Sequence, residues 1–159
     1  MTVILVEYIA RIFLKIKIVL HKIFNYGLYK KGVKLHGTPR LLHRQNIKIE
    51  PGVSINEHVF LHGAGGIYIG ENATLSYGTT VLTTSYDVGN WHNGQNSKAH
   101  IENEVIINEN VWLSANVTVL SGVEIAEGVV VGAGAVVNKN LTTPNSLYAG
   151  VPAKFIKKL

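Results

Sequence analysis

The chain has 159 residues, of which 47% are apolar and 16% charged, so it is long enough to bury a core and too apolar to be disordered. It contains no cysteine, which excludes disulfides and thiolate metal sites. The formal net charge is +5, and ten of the fifteen Lys and Arg residues lie within residues 1–50. No nucleic-acid module accompanies this charge, so an anionic ligand or a membrane surface suits it better than a nucleic acid.

Residues 3–24 predict an amphipathic helix. Glu7, Arg11, Lys15 and Lys22 fall on one side of a helical wheel, opposite an apolar face. The apolar face consists of Leu5, Ile9, Ile12, Phe13, Ile16, Leu20 and Ile23. Charges inside the segment argue against a membrane-spanning helix, and no small-residue cleavage site marks a secretory signal. Two roles stay open: packing on its own domain or oligomer, or peripheral attachment at the inner face of a membrane.

From residue 47 onwards, apolar residues recur at every sixth position in two parallel rows, with two extra residues in the HGAGG segment. The clearest rows are Ile107, Leu113, Val119, Ile125, Val131 and Val137, and, two residues ahead of each, Val105, Val111, Val117, Val123, Val129 and Ala135. Turn-forming residues stand between them, and a period of six does not fit a helix. Each hexapeptide therefore predicts a short strand and a turn, and three of them close a triangular coil of about 18 residues. Roughly four stacked coils would bury the two rows.

The period stops at residues 82–104, where polar residues, glycines and two histidines replace it. This interruption predicts a loop extruded from an otherwise regular β-helix. We therefore expect residues 1–46 to form the helix and a lead-in, residues 47–145 the β-helix with its loop, and residues 146–159 a C-terminal tail.

The segments IINENVWLSANVTVLSGVEIAEGVVVGAGAVVNKNL and NSLYAGVPAKFIKKL resemble the hexapeptide-repeat acyltransferases. The likeness is to the maltose and galactoside O-acetyltransferase branch, which includes polysaccharide O-acetyltransferases. It covers residues 47–159, and AGVPAKFIKK is its most specific part. The resemblance implies an all-β fold, a left-handed parallel β-helix that forms a homotrimer, with acetyl-CoA between neighbouring subunits and the acceptor beneath the loop. We expect a cytoplasmic enzyme that acetylates a saccharide hydroxyl in surface-polysaccharide synthesis.

The family's site positions transfer unevenly onto this chain. The position of its general base falls on Tyr86, and a phenol with a pKa near 10 is a poor base at neutral pH. An acceptor-site position falls on Asn56 and is retained, whereas an acidic position falls on Ala64 and is lost. The positions near acetyl-CoA match better: Ala115, Ala133, Asn138 and Lys139, with Lys154 and Lys157 near the phosphates.

Acetyl transfer to a hydroxyl needs a base and a hydrogen-bond donor for the oxyanion. Imidazole is the natural base, so the loop residues His92 and His100 are the candidates, with Asp87 holding the ring in the required tautomer. Trp91 either stacks on an acceptor sugar or anchors the loop against a neighbouring subunit. His62, at a turn one coil earlier, is a further residue within reach of the acceptor.

Two other functions stay open. A zinc enzyme of the γ-carbonic-anhydrase type shares this β-helix and would need three converging histidines, for which His62, His92 and His100 suffice in number. Their spacing does not resemble that family's, so no metal is expected. A non-catalytic trimeric scaffold would explain the tyrosine at the position of the base. N-acetylation of an amino sugar is equally compatible with the sequence.

Overall fold

The computed structural model describes residues 2–30, 32–88 and 99–159, and it consists of one helix followed by a β-helix of short strands. Helix α1 spans Thr2–Phe24. The strands are β1 (Lys34–Leu35), β2 (Arg40–Leu42), β3 (Ile47–Ile49), β4 (Ser54–Ile55), β5 (Phe60–His62), β6 (Ile67–Ile69), β7 (Thr74–Leu75), β8 (Thr80–Leu82), β9 (Thr84–Tyr86), β10 (His100–Glu102), β11 (Val105–Ile107), β12 (Trp112–Leu113), β13 (Thr118–Val119), β14 (Glu124–Ile125), β15 (Val130–Val131), β16 (Val136–Val137), β17 (Ser146–Ala149) and β18 (Lys154–Lys158).

Three sheets run along the β-helix, and each coil gives one strand to each of them. Sheet I holds β3, β6, β11 and β14; sheet II holds β1, β4, β7, β12, β15, β17 and β18; sheet III holds β2, β5, β8, β13 and β16. Strands from successive coils pair in parallel, and within these three sheets of the described chain only β18 pairs antiparallel, with β17. The predicted left-handed parallel β-helix is confirmed.

The apolar rows of the sequence become three buried columns. In sheet I, Ile69, Ile107 and Ile125 lie in register with one another and are fully buried. Fully burying an aliphatic side chain of this size stabilises a fold by about 1.5–3 kcal/mol. Left-handed turns close the corners, and Asn72 and Asn116, both at φ 57°, are residues that tolerate this conformation. The six-residue period is thus the direct cause of the fold.

The β-helix has about five coils in the described part of the chain, one more than the sequence predicts. The additional coil begins with β1 and β2, which pair in register with β4 and β5. Its apolar positions are hidden from a strict six-residue count because eight residues separate Leu41 from Ile49, where six separate Val119 from Ile125. The same two-residue excess separates Leu61 from Ile69 in the next coil.

All of these excess residues fall at one corner, where the chain passes from sheet III to sheet I. We call it the arm corner, because the third coil inserts the whole interrupted segment there. β9 and β10 pair antiparallel, with Tyr86 opposite His100, so the segment leaves the β-helix as a hairpin. We call residues 84–102 the arm; residues 89–98, which include Trp91 and His92, lie outside the described residues.

Helix α1 touches the β-helix along one narrow side. Leu14, Ile18 and His21 are half-buried, and His21 Nε2 lies 2.5 Å from the Tyr29 hydroxyl. Burial lowers the pKa of His21, which favours its neutral form in this contact. No helix among the described residues is apolar over a length that would cross a membrane.

Candidate active site

A cavity of about 440 Å³ opens at the arm corner, between the first three coils and the base of the arm. Its lining residues are His43, His62, Ala64, Leu82, Thr84, His100 and Glu102. Strand pairing explains the convergence, because His62 lies in register with Leu82 on β8, and Thr84 lies opposite Glu102 at the base of the arm. The arm and the β-helix therefore form an open cavity that three imidazoles line.

The imidazole of His62 is oriented by a neighbour from the arm. Its Nδ1 lies 3.3 Å from the Thr84 hydroxyl oxygen, and its ring meets that of His43 edge to face at a centroid distance of 5.4 Å. A proton on Nδ1 directed at the threonine oxygen leaves a lone pair on Nε2. His43 itself has a left-handed backbone, φ 54° and ψ 46°, which turns the chain into the 3₁₀ segment Arg44–Asn46. Such a conformation is uncommon for a residue other than glycine, and histidine is one of those enriched in it.

His100 lies beside the tyrosine that occupies the family's base position. The two residues are paired across the arm, and their ring centroids are 4.6 Å apart. Both are exposed. Asp87 follows β9, and its backbone N–H donates to the carbonyl of Ala99 at 3.0 Å. An imidazole thus stands next to Tyr86, contributed by the opposite strand of the arm.

The base of the arm is held by a buried hydrogen-bond network centred on Thr83. The Thr83 hydroxyl donates to the carbonyl of His62 at 2.6 Å and accepts from the N–H of Gly65 at 2.9 Å. The Thr83 carbonyl accepts from Ser121 Oγ and from the N–H of Asn103, both at 2.9 Å. Four coil and arm segments are tied together at this point, which fixes where the arm leaves the β-helix.

The structure explains why position 65, in the HGAGG segment, is a glycine. A Cβ built on Gly65 would lie 2.7 Å from the backbone nitrogen of Asn103, closer than real Cβ contacts allow. The backbone of the arm's return strand therefore passes directly over this residue. Only glycine leaves room for that approach.

The structure brings together only part of the predicted site. His62 and His100 line the same cavity, and Tyr86 lies beside His100. Asn56 lies at the corner between sheets II and III, at the other end of sheet III, where its side-chain amide donates to the carbonyl of Leu75 at 3.2 Å. The roles predicted for Trp91 and His92 lie outside the described residues.

Three polar lining residues were not singled out from the sequence: His43, Thr84 and Glu102. The available signal was the 20-residue spacing that places Leu42, His62 and Leu82 in one column at the arm corner. A histidine directly after such a column position, as at His43, belongs to the same corner.

The predicted cofactor positions occupy both ends of sheet III. Ala115 and Ala133 stack in successive coils at the corner between sheets II and III, where the N–H of Gly134 donates to the carbonyl of Ala115 at 2.9 Å. A Cβ built on Gly134 would meet nothing within 4 Å, so the surface beside Ala133 is open. Asn138 and Lys139 are exposed after β16, at the arm corner.

The remaining basic positions, Lys154 and Lys157, are exposed on β18, which covers the edge of sheet II. Small residues, an open surface and nearby lysines fit a long, anionic ligand such as a coenzyme A thioester.

The described residues contain no group of three or more His, Asp or Glu side chains arranged to hold a metal ion.

Trp112, at 49% exposure, points outwards and donates from Nε1 to Ser76 Oγ at 2.9 Å.

The fold is a parallel β-helix built from six-residue repeats. The family model described as "Bacterial transferase hexapeptide (six repeats)" matches residues 99–139, which confirms the predicted resemblance in this part of the chain. No curated relative matches the chain.

Solved structures share the fold over most of the chain. A hexapeptide-repeat acetyltransferase from Vibrio cholerae has a TM-score of 0.80 and 23% identity, over 92% of this chain and 81% of its own. A maltose O-acetyltransferase from Clostridium difficile 630 has a TM-score of 0.74 and 24% identity, over 92% and 86%. A galactoside acetyltransferase in complex with coenzyme A has a TM-score of 0.71 and 25% identity, over 79% of this chain and 64% of its own.

Proposed function

We propose that this protein is an acetyl-CoA-dependent O-acetyltransferase that acts on a saccharide hydroxyl, as a homotrimer in the cytoplasm, during surface-polysaccharide synthesis. The observation that carries the proposal is the cavity at the arm corner, which imidazoles from both the β-helix and the arm line. The likeness to maltose and galactoside acetyltransferases, one of them with coenzyme A bound, supports it.

The chain's own residues divide the chemistry between them. Acetyl-CoA, when bound, supplies a thioester whose carbonyl carbon accepts the acceptor oxygen. His100 removes the proton from the acceptor hydroxyl as the new C–O bond forms, and it returns that proton to the departing sulfur as the C–S bond breaks. Asp87 and the loop residue His92 are the other predicted members of this machinery. A backbone N–H at the coil edge stabilises the oxyanion.

The acceptor is held in the cavity on the other side of His100. The paired rings of His43 and His62, together with the Glu102 carboxylate, offer hydrogen-bond donors and acceptors to sugar hydroxyls. Ala64 widens the cavity where the family carries an acid. Tyr86 and Trp91 supply aromatic surface against a sugar ring.

Acetyl-CoA would lie along sheet III, with its phosphates near Lys154 and Lys157. Ala115 and Ala133 leave room for its chain, and Asn138 and Lys139 stand near the end that points to the arm corner. This assignment explains why small residues occur where the repeat exposes its corner.

Calorimetry with acetyl-CoA tests the proposal without knowledge of the acceptor. We expect micromolar binding at about one site per chain, a typical affinity for an enzyme substrate. An Ala133→Glu variant should lose binding because it fills and charges the open surface, whereas the matched change Ala99→Glu, at an exposed position on the arm, should keep it. If the folded protein binds no acetyl-CoA, the transferase proposal fails and the scaffold remains.

A second assay identifies the acceptor class. Release of free coenzyme A thiol in the presence of neutral sugars, amino sugars and glycan intermediates separates O-acetylation from N-acetylation. Turnover with an amino sugar alone would move the protein to the N-acetyltransferases.

A further inference from the structure

Helix α1 turns its apolar face away from the protein. The side that meets the β-helix carries the half-buried Leu14, Ile18 and His21. The opposite side is apolar and exposed from residue 5 to residue 24, with Leu5, Val6, Tyr8, Ile9, Ile12, Phe13, Ile16, Val19, Leu20, Ile23 and Phe24. The helix therefore lies on its own domain with its other side, and the apolar face does not pack on the chain's own β-helix.

Contacts at the end of the helix hold it in this orientation. His21 meets the Tyr29 hydroxyl, the Lys22 ammonium donates to the carbonyl of Val33 at 3.3 Å, and Arg44 donates to the carbonyl of Phe24 at 2.5 Å. All three join the helix or its last turn to the first coil. They fix the apolar face outwards, where it needs another occupant.

The charged residues of α1 indicate which kind of surface its apolar face binds. On a helical wheel Arg11, Lys15 and Lys22 border one edge of the apolar face and Lys17 borders the other, while Glu7, the single acid of the helix, lies on the side of the β-helix. A basic border around an apolar face complements anionic lipid headgroups.

The width of the face distinguishes a lipid surface from a second copy of the helix. The exposed apolar residues span an arc of about 160°, wider than the narrow seam of a coiled coil. A helix that paired with its own copies would also place opposite charges at the borders of its seam, and here the borders carry only positive charge. Tyr26, strongly exposed just after the helix, is a residue type that favours the headgroup region.

We propose that α1 is a surface anchor that lies in the plane of an anionic bilayer, with its apolar face in the headgroup and acyl boundary. The β-helix is then held beside the membrane by the contacts at the first coil. This inference is independent of the proposed function, because none of its residues belongs to the cavity or to the predicted cofactor surface.

Flotation with vesicles tests the anchor on the full-length protein. We expect binding to vesicles of phosphatidylcholine mixed with phosphatidylglycerol, weaker binding to phosphatidylcholine alone, and a loss of binding as salt is raised. An Ile12→Gln/Ile16→Gln variant should lose binding to both vesicles. A Lys15→Gln variant should bind anionic vesicles about fivefold more weakly, since each cation near such a surface contributes about 1 kcal/mol.

Lys158→Gln is the matched control, because it removes the same charge from β18 at the other end of sheet II. It should bind vesicles as the unmodified protein does. The proposal is overturned if the protein does not float with anionic vesicles. It is equally overturned if the Ile12→Gln/Ile16→Gln variant floats unchanged, or if that variant instead lowers the oligomeric mass measured by light scattering. Acetyl-CoA calorimetry on the same variants reports separately on the proposed function.

Discussion

At the scale of single residues, the proposed reaction depends on the imidazole that removes the proton from the acceptor hydroxyl. We predict that His100→Ala, and likewise His92→Ala, lowers turnover about a hundredfold or more, because a general base contributes that much to such a transfer. Acetyl-CoA affinity should stay unchanged, since neither residue belongs to the predicted cofactor surface. Steady-state rates and calorimetry on each variant measure the two effects.

His36 offers a control for His100, because it is an exposed histidine that does not line the cavity. His36→Ala should keep full turnover. Should both loop variants also turn over at the full rate, the base lies elsewhere, and His62, whose Nδ1 lies 3.3 Å from the Thr84 hydroxyl oxygen, becomes the residue to change.

We expect the single residue Gly65 to influence where the arm lies. An alanine there would press on the backbone of Asn103, 2.7 Å away, so the arm must shift. We predict a stability loss of about 1–3 kcal/mol, as for other overpacked sites, together with a marked loss of turnover. Denaturant unfolding and activity assays measure both.

Gly27→Ala is the matched change for Gly65→Ala. Gly27 has φ +88° and open space around it, so alanine costs about 1–2 kcal/mol in backbone strain and touches nothing. Its variant should be destabilised to a similar extent and remain fully active. Equal activity in the two variants would show that the close approach at Gly65 does not position the arm.

The structure places His62 and His100, which the sequence analysis singled out, in one cavity with His43, Thr84 and Glu102, which it did not. The first two stand out because they interrupt or border an otherwise regular repeat. The others become partners only through the register of β2, β5 and β8 and the antiparallel pairing of the arm. Because the repeat gains extra residues at a corner, this register cannot be obtained by counting along the sequence.

At the scale of elements, adjacent residues of a strand point alternately into the core and towards the surface. On β11, Ile107 is fully buried and Ile106 points outwards. We predict that Ile107→Ala lowers the free energy of unfolding by about 2–5 kcal/mol, because it removes buried methylenes and leaves a cavity between coils. Denaturant unfolding of the two single variants gives the comparison.

Ile106→Ala should cost less than half as much, since its side chain is only partly buried in the same strand. A cost for Ile106→Ala as large as that of Ile107→Ala would mean that the outer face of sheet I is also buried, as in an interface.

The strands were predictable because the six-residue period is a direct consequence of the coil. The additional first coil was not, because its rows are out of step by two residues at the arm corner. The side of α1 that contacts the β-helix also escaped prediction. An amphipathic pattern identifies the apolar face, and here a histidine, two aliphatic side chains and an arginine from the first coil seat the helix on its other side.

At the scale of the whole molecule, one chain does not bring the predicted acceptor residue Asn56 to the cavity. Asn56 and the cavity lie at opposite ends of sheet III, and the Asn56 side chain is hydrogen-bonded at its own corner. In a cyclic trimer, each interface joins two different surfaces of neighbouring subunits. If one of these surfaces is the corner between sheets II and III and the other is the arm corner, the two corners face each other. Asn56 of one chain would then meet His100 of another.

Subunit mixing tests this arrangement. Asn56→Ala and His100→Ala should each be nearly inactive alone. When the two are unfolded, mixed in equal amounts and refolded together, about one quarter of the sites combine an intact asparagine from one chain with an intact histidine from its neighbour, as random assembly of a cyclic oligomer requires. Activity should therefore return to about that share of the unmodified level, while each variant refolded alone stays inactive. If the mixture is as inactive as its components although light scattering shows mixed trimers, each site lies within one chain, and Asn56 acts on its own corner rather than on the acceptor.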